Sequence, residues 1–316
     1  MNSNFSSFLI KKHCHSAKKI CINKNSVLYT DSNGKKYVTK KNTNNMLNIY
    51  NYLNSRGFGY LPRLVYCDDT SYVYEYQENT DTPDEQRVSD LVKIDALLHS
   101  KTVYYKDVSL DETKEIYEKL SDKIKNTFTY YDDLVTMIES NVYMSPSEYM
   151  LARNCSMIFS GLNFCQKKLD EWYKIASGKN KKRVVLLHNN LDSNHIIGTK
   201  DGMLISWNYA TYDLPIYDFI KLYKNNYDKY DFIELYKEYV KIFPLLEEEK
   251  NLMYVILFIP NKIVFNKSQF DSTIEVGKLC NYLFTTDKLF MENEAKNGKV
   301  QYDNIDKKKE NLKSTA

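Results

Sequence analysis

The sequence changes character near residue 80, and this change limits the folds that the chain can adopt. Residues 18–76 consist of short runs rich in β-forming side chains, separated by turn residues and by one helical period. Beyond a polar linker at residues 75–83, helical patterns dominate. We therefore predict an α+β protein in which a small β-rich region precedes a mostly helical one.

The β-rich region is predicted to contain five strands and one helix. An Asn-Gly pair at residues 33–34 lies between two β-forming runs, which is a strong hairpin signal. Apolar residues recur at helical spacing from Met46, and Gly57 ends that helix. The expected strands, in the order β-β-β-α-β-β, are residues 18–22, 26–30, 35–40, 63–67 and 72–76.

Capping boxes mark the starts of three long helices. Each box places a hydroxyl residue three positions before a glutamate, so that both side chains can bond free amides of the first turn. The hydroxyl residues are Thr82, Ser109 and Ser145. The predicted helices cover residues 83–102, 110–139 and 146–176.

A short β island interrupts the helices. A buried strand is expected at residues 183–187, and residues 195–197 are expected to pair with residues 203–206 through a turn at residues 200–202. Helical patterns then resume over residues 215–291.

Charge is unevenly distributed along the chain. Residues 1–67 contain eleven Lys or Arg and one acid, Asp31, whereas the whole chain has 44 basic and 41 acidic side chains. This asymmetry is typical of a region that binds an anionic partner, which could be a protein that the sequence does not identify. It is equally typical of a solvated lysine-rich surface. We find no nucleic-acid-binding motif and do not expect nucleic acid as a partner.

Composition excludes several classes of protein. An apolar content of 43% supplies a real core, which excludes general disorder. The longest apolar stretch, residues 252–260, is far shorter than the roughly 20 residues that span a bilayer, and no signal peptide is recognisable, so we expect a cytoplasmic protein. The cluster of His13, Cys14, His15 and Cys21 matches no zinc-binding spacing.

The β island carries the residues on which a functional prediction depends. Residues 186–197 (LLHNNLDSNHII) and 204–207 (LISW) resemble the strand, H-x-D-x-x-x-x-N loop and I-D-W hairpin of the aminoglycoside phosphotransferase and choline-kinase group. Residues 213–218 (DLPIYD) resemble that group's D-x-P-x-Y-D segment, which opens a helix.

This resemblance implies a two-lobed protein-kinase-like fold. The expected parts are an N-lobe over residues 1–78, a helical C-lobe over residues 79–295 and a flexible basic tail over residues 296–316. The C-lobe would hold the loop that is catalytic in the group.

The resemblance also implies roles for individual residues. His188 would brace the loop, and Asp218 would accept backbone amides of the loop. Asn190 stands at the position of the catalytic base, although an amide cannot take up a proton. His195 and Ser206 stand at the positions of the two metal ligands, where Mg²⁺ would require hard oxygen donors.

Lys40 stands at the position of the lysine that grips nucleotide phosphates in kinase-like enzymes. The alternative is an ordinary solvated strand lysine. No acid occurs between Asp31 and Asp68, so the helix after this strand offers no carboxylate to pair with the lysine. The turn at residues 23–25 lacks the glycine that would help backbone amides close over phosphates.

Several segments narrow the resemblance to the spore-coat CotS family, kinase-like proteins of low-GC Gram-positive bacteria. They are residues 57–63, 72–76, 97–102 and 145–149. The resemblance implies assembly onto the spore coat in a sporulating host.

The substituted positions favour a pseudokinase that acts as a binding or scaffold protein. The sequence identifies no certain cofactor for such a protein. The alternative is a phosphotransferase that uses ATP and Mg²⁺ on a small hydroxyl compound bound in the cleft. It would need another carboxylate, such as Asp192, as its base. Asp192 and Asn194 are two residues apart rather than the required five, and Asp201 lies in the expected turn.

Overall fold

The computed structural model describes residues 18–23, 26–31, 33–42, 45–78, 81–198, 202–265 and 268–313. The chain divides into two compact units. The first unit comprises the described residues of Met1–Tyr105, Arg183–Lys221 and Glu238–Pro244, and the second unit comprises those of Lys106–Lys182, Leu222–Lys237 and Leu245–Ala316. His13, Cys14 and His15 lie outside the described residues.

An antiparallel five-stranded sheet with one helix forms the start of the first unit. Its strand order is β1-β2-β3-β5-β4. The elements are β1 (Lys18–Asn23), β2 (Ser26–Thr30), β3 (Lys36–Lys41), α1 (Met46–Ser55), β4 (Leu64–Cys67) and β5 (Ser71–Glu75). The predicted order β-β-β-α-β-β is confirmed.

Local hydrogen bonds explain the turn between β2 and β3. Asp31 Oδ1 accepts the backbone N–H groups of Asn33 and Lys35, at 2.9 and 2.8 Å. Gly34 adopts φ +81°, a conformation that is nearly free of strain only for glycine. The resulting register places Lys40 opposite Ser26 on β2.

The first unit also contains α2 (Asp84–Thr102) and the β island. The strand β6 (Tyr104–Asp107) follows α2. The island lies further along the chain and consists of β7 (Lys181–Leu187), β8 (Ile196–Ile197), β9 (Met203–Leu204) and β10 (Thr211–Asp213). The predicted hairpin is confirmed, since Ile196 pairs with Leu204, but residues 200 and 201 of its turn lie outside the described residues. The sequence did not predict β6 or β10.

Long helices build the second unit. They are α3 (Leu110–Glu139), α4 (Pro146–Ala176), the end of α5 (Ile216–Asn226), the start of α6 (Phe232–Ile242), α7 (Glu247–Phe258) and α8 (Gln269–Lys313). α4 packs against α3, α7 and α8. α8 thus includes most of residues 296–316, where no apolar period predicts a helix. None of the described helices has the length and apolar character needed to cross a bilayer.

Two of the three predicted capping interactions form. Ser145 and Glu148 make the full capping box, and Ser109 accepts the backbone N–H of Glu112. The predicted box at Thr82 is wrong, because α2 begins at Asp84 and its N-cap residue is Pro83, which has no side-chain acceptor. Pro83 keeps an extended ψ of 145°, so the helix cannot begin there.

Candidate functional site

A buried strand leads into the candidate loop. Residues 184–187 of β7 are each at most 2% exposed, which anchors the start of residues 188–195 in the core of the first unit. Asn189 then adopts φ +60°, and asparagine tolerates this left-handed conformation better than most residues. The chain therefore turns sharply after His188.

Asp218 stabilises this turn through hydrogen bonds to its backbone. The residue is fully buried in the first turn of α5. Its Oδ2 accepts the backbone N–H of His188 and its Oδ1 accepts that of Asn189, both at 2.7 Å. These are contacts with the loop backbone of the kind that the sequence predicts for Asp218.

Asp218 belongs to a buried acid cluster, which we define as Asp95, His99, Asp218 and Tyr239. His99 Nε2 lies 3.4 Å from Asp95 Oδ1 and 3.4 Å from Asp218 Oδ2. His99 Nδ1 lies 2.7 Å from the Tyr239 hydroxyl. His99 is thus a packed core histidine, the interpretation that its apolar helix favours. Sequence reasoning missed Asp95, although an acid four residues before a histidine on one helix face was the available signal.

The two acids of the cluster have opposite pKa shifts. Burial raises the pKa of Asp95 well above its usual value, and the neighbouring Asp218 charge raises it further. Burial also acts to raise the pKa of Asp218, but contacts with His99 and His188 outweigh burial and lower it. The two shifts are opposite in direction, so a proton shared by the pair is favoured on Asp95 rather than on Asp218.

Asp95, His99 and Asp218 are also the only described group of three or more His, Cys, Asp or Glu side chains that could hold a metal ion, with ligand atoms within 4.8 Å of one another. Both oxygens of Asp218 already accept backbone N–H groups. Asp218 is thus engaged with the loop backbone, whereas Asp95 Oδ1 and His99 Nε2 have no hydrogen-bond partner among the described residues.

His188 braces the loop against the chain that follows β9. Its Nε2 lies 2.9 Å from the carbonyl oxygen of Ile205, so Nε2 carries the proton and donates it. Burial lowers the pKa of His188 to about 4, although the Asp218 charge opposes this shift. The neutral ring packs edge-on against Trp207, with centroids 4.8 Å apart.

His195 and Asn190 are joined through the backbone of the loop. His195 Nδ1 donates to the carbonyl oxygen of Asn190 at 2.6 Å. The Asn190 side chain is half-buried. Within the described part of the chain, its amide forms no hydrogen bond.

Lys40 reaches Ser206 across the first unit. Lys40 Nζ donates to Ser206 Oγ at 2.8 Å and lies 5.9 Å from the centre of the Tyr74 ring. Burial lowers the pKa of Lys40 to about 8. Lys40 is therefore not a freely solvated lysine. Its hydrogen-bond partner is a hydroxyl rather than a carboxylate of the following helix, because α1 contains no acid.

Asp192 is engaged locally. Its Oδ1 accepts the backbone N–H and the side-chain amide of Asn194, both at 2.8 Å, and so caps the short 3₁₀ helix Ser193–His195. Asp201 lies outside the described residues.

Some of the N-terminal basic charge is neutralised within the first unit. Lys35 pairs with Glu75 at 2.7 Å, and Lys36 pairs with Glu78 at 3.0 Å. Arg63 lies 3.6 Å from Glu75. These exposed pairs reduce the positive field that the first 67 residues suggest.

No protein-family model and no curated protein sequence matches this chain. Its structure is similar to a solved aminoglycoside phosphotransferase from Alicyclobacillus acidocaldarius subsp. acidocaldarius DSM 446. The two share 13% sequence identity, with a TM-score of 0.62, over 90% of this chain and 95% of the other. The chain has the kinase-like fold of the aminoglycoside phosphotransferases.

Two further solved structures are similar at lower scores. AMP-bound spectinomycin phosphotransferase APH(9)-Ia has 13% identity and a TM-score of 0.46 over 90% of this chain and 97% of its own. Macrolide 2'-phosphotransferase MphH from Brachybacterium faecium has 11% identity and a TM-score of 0.41 over 81% of this chain and 89% of its own.

The residues at the predicted metal positions of this kinase-like chain do not fit Mg²⁺. This ion prefers carboxylate and other hard oxygen ligands. His195 offers an imidazole. The Ser206 hydroxyl accepts a hydrogen bond from the Lys40 amine, which is mostly cationic at neutral pH. A positive charge at a predicted ligand position repels a second cation. We therefore derive no catalytic step through Mg²⁺.

Proposed function

We propose that this chain is a pseudokinase, a kinase-like protein that binds a ligand or a partner without transferring phosphate. The Lys40–Ser206 hydrogen bond is the observation that carries the proposal. In a phosphotransferase that lysine would contact nucleotide phosphates, and the residue at position 206 would hold the metal ion. Here the two side chains satisfy each other.

The chemistry of the other predicted site residues supports the proposal. Phosphoryl transfer depends on a group that orients or deprotonates the nucleophile and on metal ions that neutralise developing charge. Asn190 has no basic atom, and His195 Nδ1 is committed to the Asn190 carbonyl. Asp192 Oδ1, the nearby carboxylate oxygen, accepts two hydrogen bonds from Asn194.

A stepwise restoration of the site tests the proposal. We expect background ATP turnover in the wild type and in Asn190→Asp, because the restored base would still face unsuitable metal positions. The matched test is the triple variant Asn190→Asp, His195→Asn, Ser206→Asp. Turnover and ADP formation are measured with and without Mg²⁺.

One result would overturn the pseudokinase proposal in favour of the phosphotransferase alternative. It is Mg²⁺-dependent ATP turnover by the wild type that Lys40→Met abolishes. A thermal-shift titration adds a binding readout, since nucleotide at 100 times Kd stabilises a folded protein by about 2.7 kcal/mol. We expect no stabilisation that depends on Mg²⁺.

The same proposal includes assembly onto the spore coat after synthesis in the cytoplasm, if the host sporulates. Its support is the CotS-like sequence of residues 57–63, 72–76, 97–102 and 145–149. The test is a fluorescent fusion followed through sporulation. We expect a ring around the forespore, and fluorescence that stays diffuse until spore release would contradict coat assembly.

A further inference from the structure

A cavity of about 290 Å³ opens in the second unit, between the end of α5, the segment that links α7 to α8, and the first turns of α8. This volume is at the lower end of the range for small-molecule sites. Its polar and aromatic lining consists mainly of Lys224, Lys262, Lys278, Glu275, Tyr227 and Tyr282.

One wall of the cavity is held in place by tyrosines of α3. The Tyr131 hydroxyl donates to the carbonyl oxygen of Asn261 at 2.5 Å. The Tyr130 hydroxyl donates to the carbonyl oxygen of Ile263. The linking segment is thus fixed on both sides of Lys262, whose Nζ lies 4.7 Å from the centre of the Tyr130 ring. A preformed wall reduces the entropy that a ligand must lose on binding.

The aromatic wall is also fixed through its hydroxyl groups. The Tyr282 hydroxyl donates to the carbonyl oxygen of Leu257 at 2.6 Å, and that of Tyr227 donates to the carbonyl oxygen of Lys278 at 3.2 Å. The two rings meet edge to face, with centroids 5.0 Å apart. Their hydrogen-bonding capacity is largely used, so what they offer a ligand is ring surface.

The lysines, in contrast, keep their ammonium groups available. Lys224 and Lys278 are open to water, and within the described part of the chain neither forms an ion pair. Burial by the surrounding walls, followed by the positive charge of Lys123, lowers the pKa of Lys224. Lysines that line one cavity attract an anion. Glu275 is the one acid among the lining residues.

We propose that this cavity binds a small organic anion, with its phosphate or carboxylate group beside Lys224 and Lys278 and its apolar body against Tyr227 and Tyr282. The inference goes beyond the proposed pseudokinase role and does not depend on it. An adjoining cavity of about 450 Å³ shares Asn261 and Lys262 and adds two lysines, Lys119 and Lys123, and one acid, Asp122. The site can therefore accommodate an elongated anion.

Isothermal titration calorimetry of the full chain with phenyl phosphate tests this proposal. Phenol is the neutral probe of the same shape, and inorganic phosphate is the anion without a ring. We expect phenyl phosphate to bind at least tenfold more tightly than either, which corresponds to about 1.4 kcal/mol. We expect Lys224→Met to raise its Kd at least tenfold.

Lys174→Met is the matched control, because Lys174 is an exposed lysine on α4, in the same unit, and does not line the cavity. It should bind phenyl phosphate like the wild type. Lys278→Met replaces Lys224→Met if the latter fails to fold. The proposal is overturned by equal Kd values for phenol and phenyl phosphate, by unchanged binding in the cavity variants, by equal losses in Lys174→Met, or by no binding at millimolar phenyl phosphate.

Discussion

The two sides of the candidate loop differ in how charge is used. Beneath the loop, Asp218 is a buried carboxylate that bonds two backbone N–H groups and contacts His99. At two positions where the predicted resemblance to the phosphotransferases places acids, Asn190 and Ser206 are neutral. The acid that bonds the loop backbone is present, whereas positions 190 and 206, where the resemblance predicts acids, hold an amide and a hydroxyl. Loop geometry and loop chemistry therefore depend on separate residues.

The sharpest test of this comparison removes one residue from each side. We expect Asp218→Ala to lower the free energy of unfolding by about 3 to 5 kcal/mol, because it leaves buried donors unpaired. Asn190→Ala should change it by no more than about 0.5 kcal/mol, since its side chain makes no hydrogen bond among the described residues. Urea denaturation of both variants measures the difference, and equal midpoints would contradict the separation of roles.

A change of pH probes the buried side alone. Because the pKa of His188 is about 4 in the folded protein and 6.5 in the unfolded chain, the unfolded chain binds more protons between these values. Stability should therefore fall as the pH is lowered from 6.5 to 4, by up to about 3 kcal/mol from this residue. The control is His188→Gln, which keeps a donor for the Ile205 carbonyl and does not titrate. Parallel pH profiles for variant and wild type would rule out the buried neutral histidine.

The acid cluster can be divided into its neutral and charged members. Asp218→Asn should destabilise the protein about 2 kcal/mol more than Asp95→Asn, because an amide presents N–H groups to a backbone donor, whereas the raised pKa of Asp95 favours its neutral form. The raised pKa of Asp95 means that the folded protein keeps a proton that the unfolded chain releases above its ordinary pKa. Wild-type stability should thus decline with rising pH relative to Asp95→Asn. Denaturation at pH 5 and pH 8 measures both effects, and a larger loss in Asp95→Asn would reverse the assignment.

The smallest effect is expected from the exposed basic residues of the first unit. Reversing Lys35, Lys36 and Lys41 to Glu should change stability by within about 0.5 kcal/mol for each substitution. If the positive surface binds an anionic partner, that association should weaken both in the variant and in high salt, because salt screens exposed charges. Pull-downs of wild type and variant at low and high salt measure this. If the same partners are recovered in all four samples, the basic surface has no role in binding an anionic partner.

Local sequence determined much of the architecture. The helices Leu110–Glu139 and Pro146–Ala176 have the predicted bounds, because capping bonds and apolar periods act within a few residues. The hairpin of β2 and β3 was predictable for the same reason, since Asp31 and Gly34 form its turn from within. The resemblance of residues 186–197 and 213–218 to a known family pointed to the loop, and Asp218 bonds its backbone as that resemblance predicts.

Only the tertiary structure decided which of those residues meet and in what state of charge. β6 and β10 are short strands whose existence depends on pairing with distant chain, and no local pattern marks them. The raised pKa of Asp95 follows from its burial and from the charge of Asp218, which lies far away in the sequence. Lys40 bonds Ser206, which is 166 residues away. Hydrogen bonds and pKa shifts of this kind depend on distance in space and on burial, which spacing along the chain does not specify.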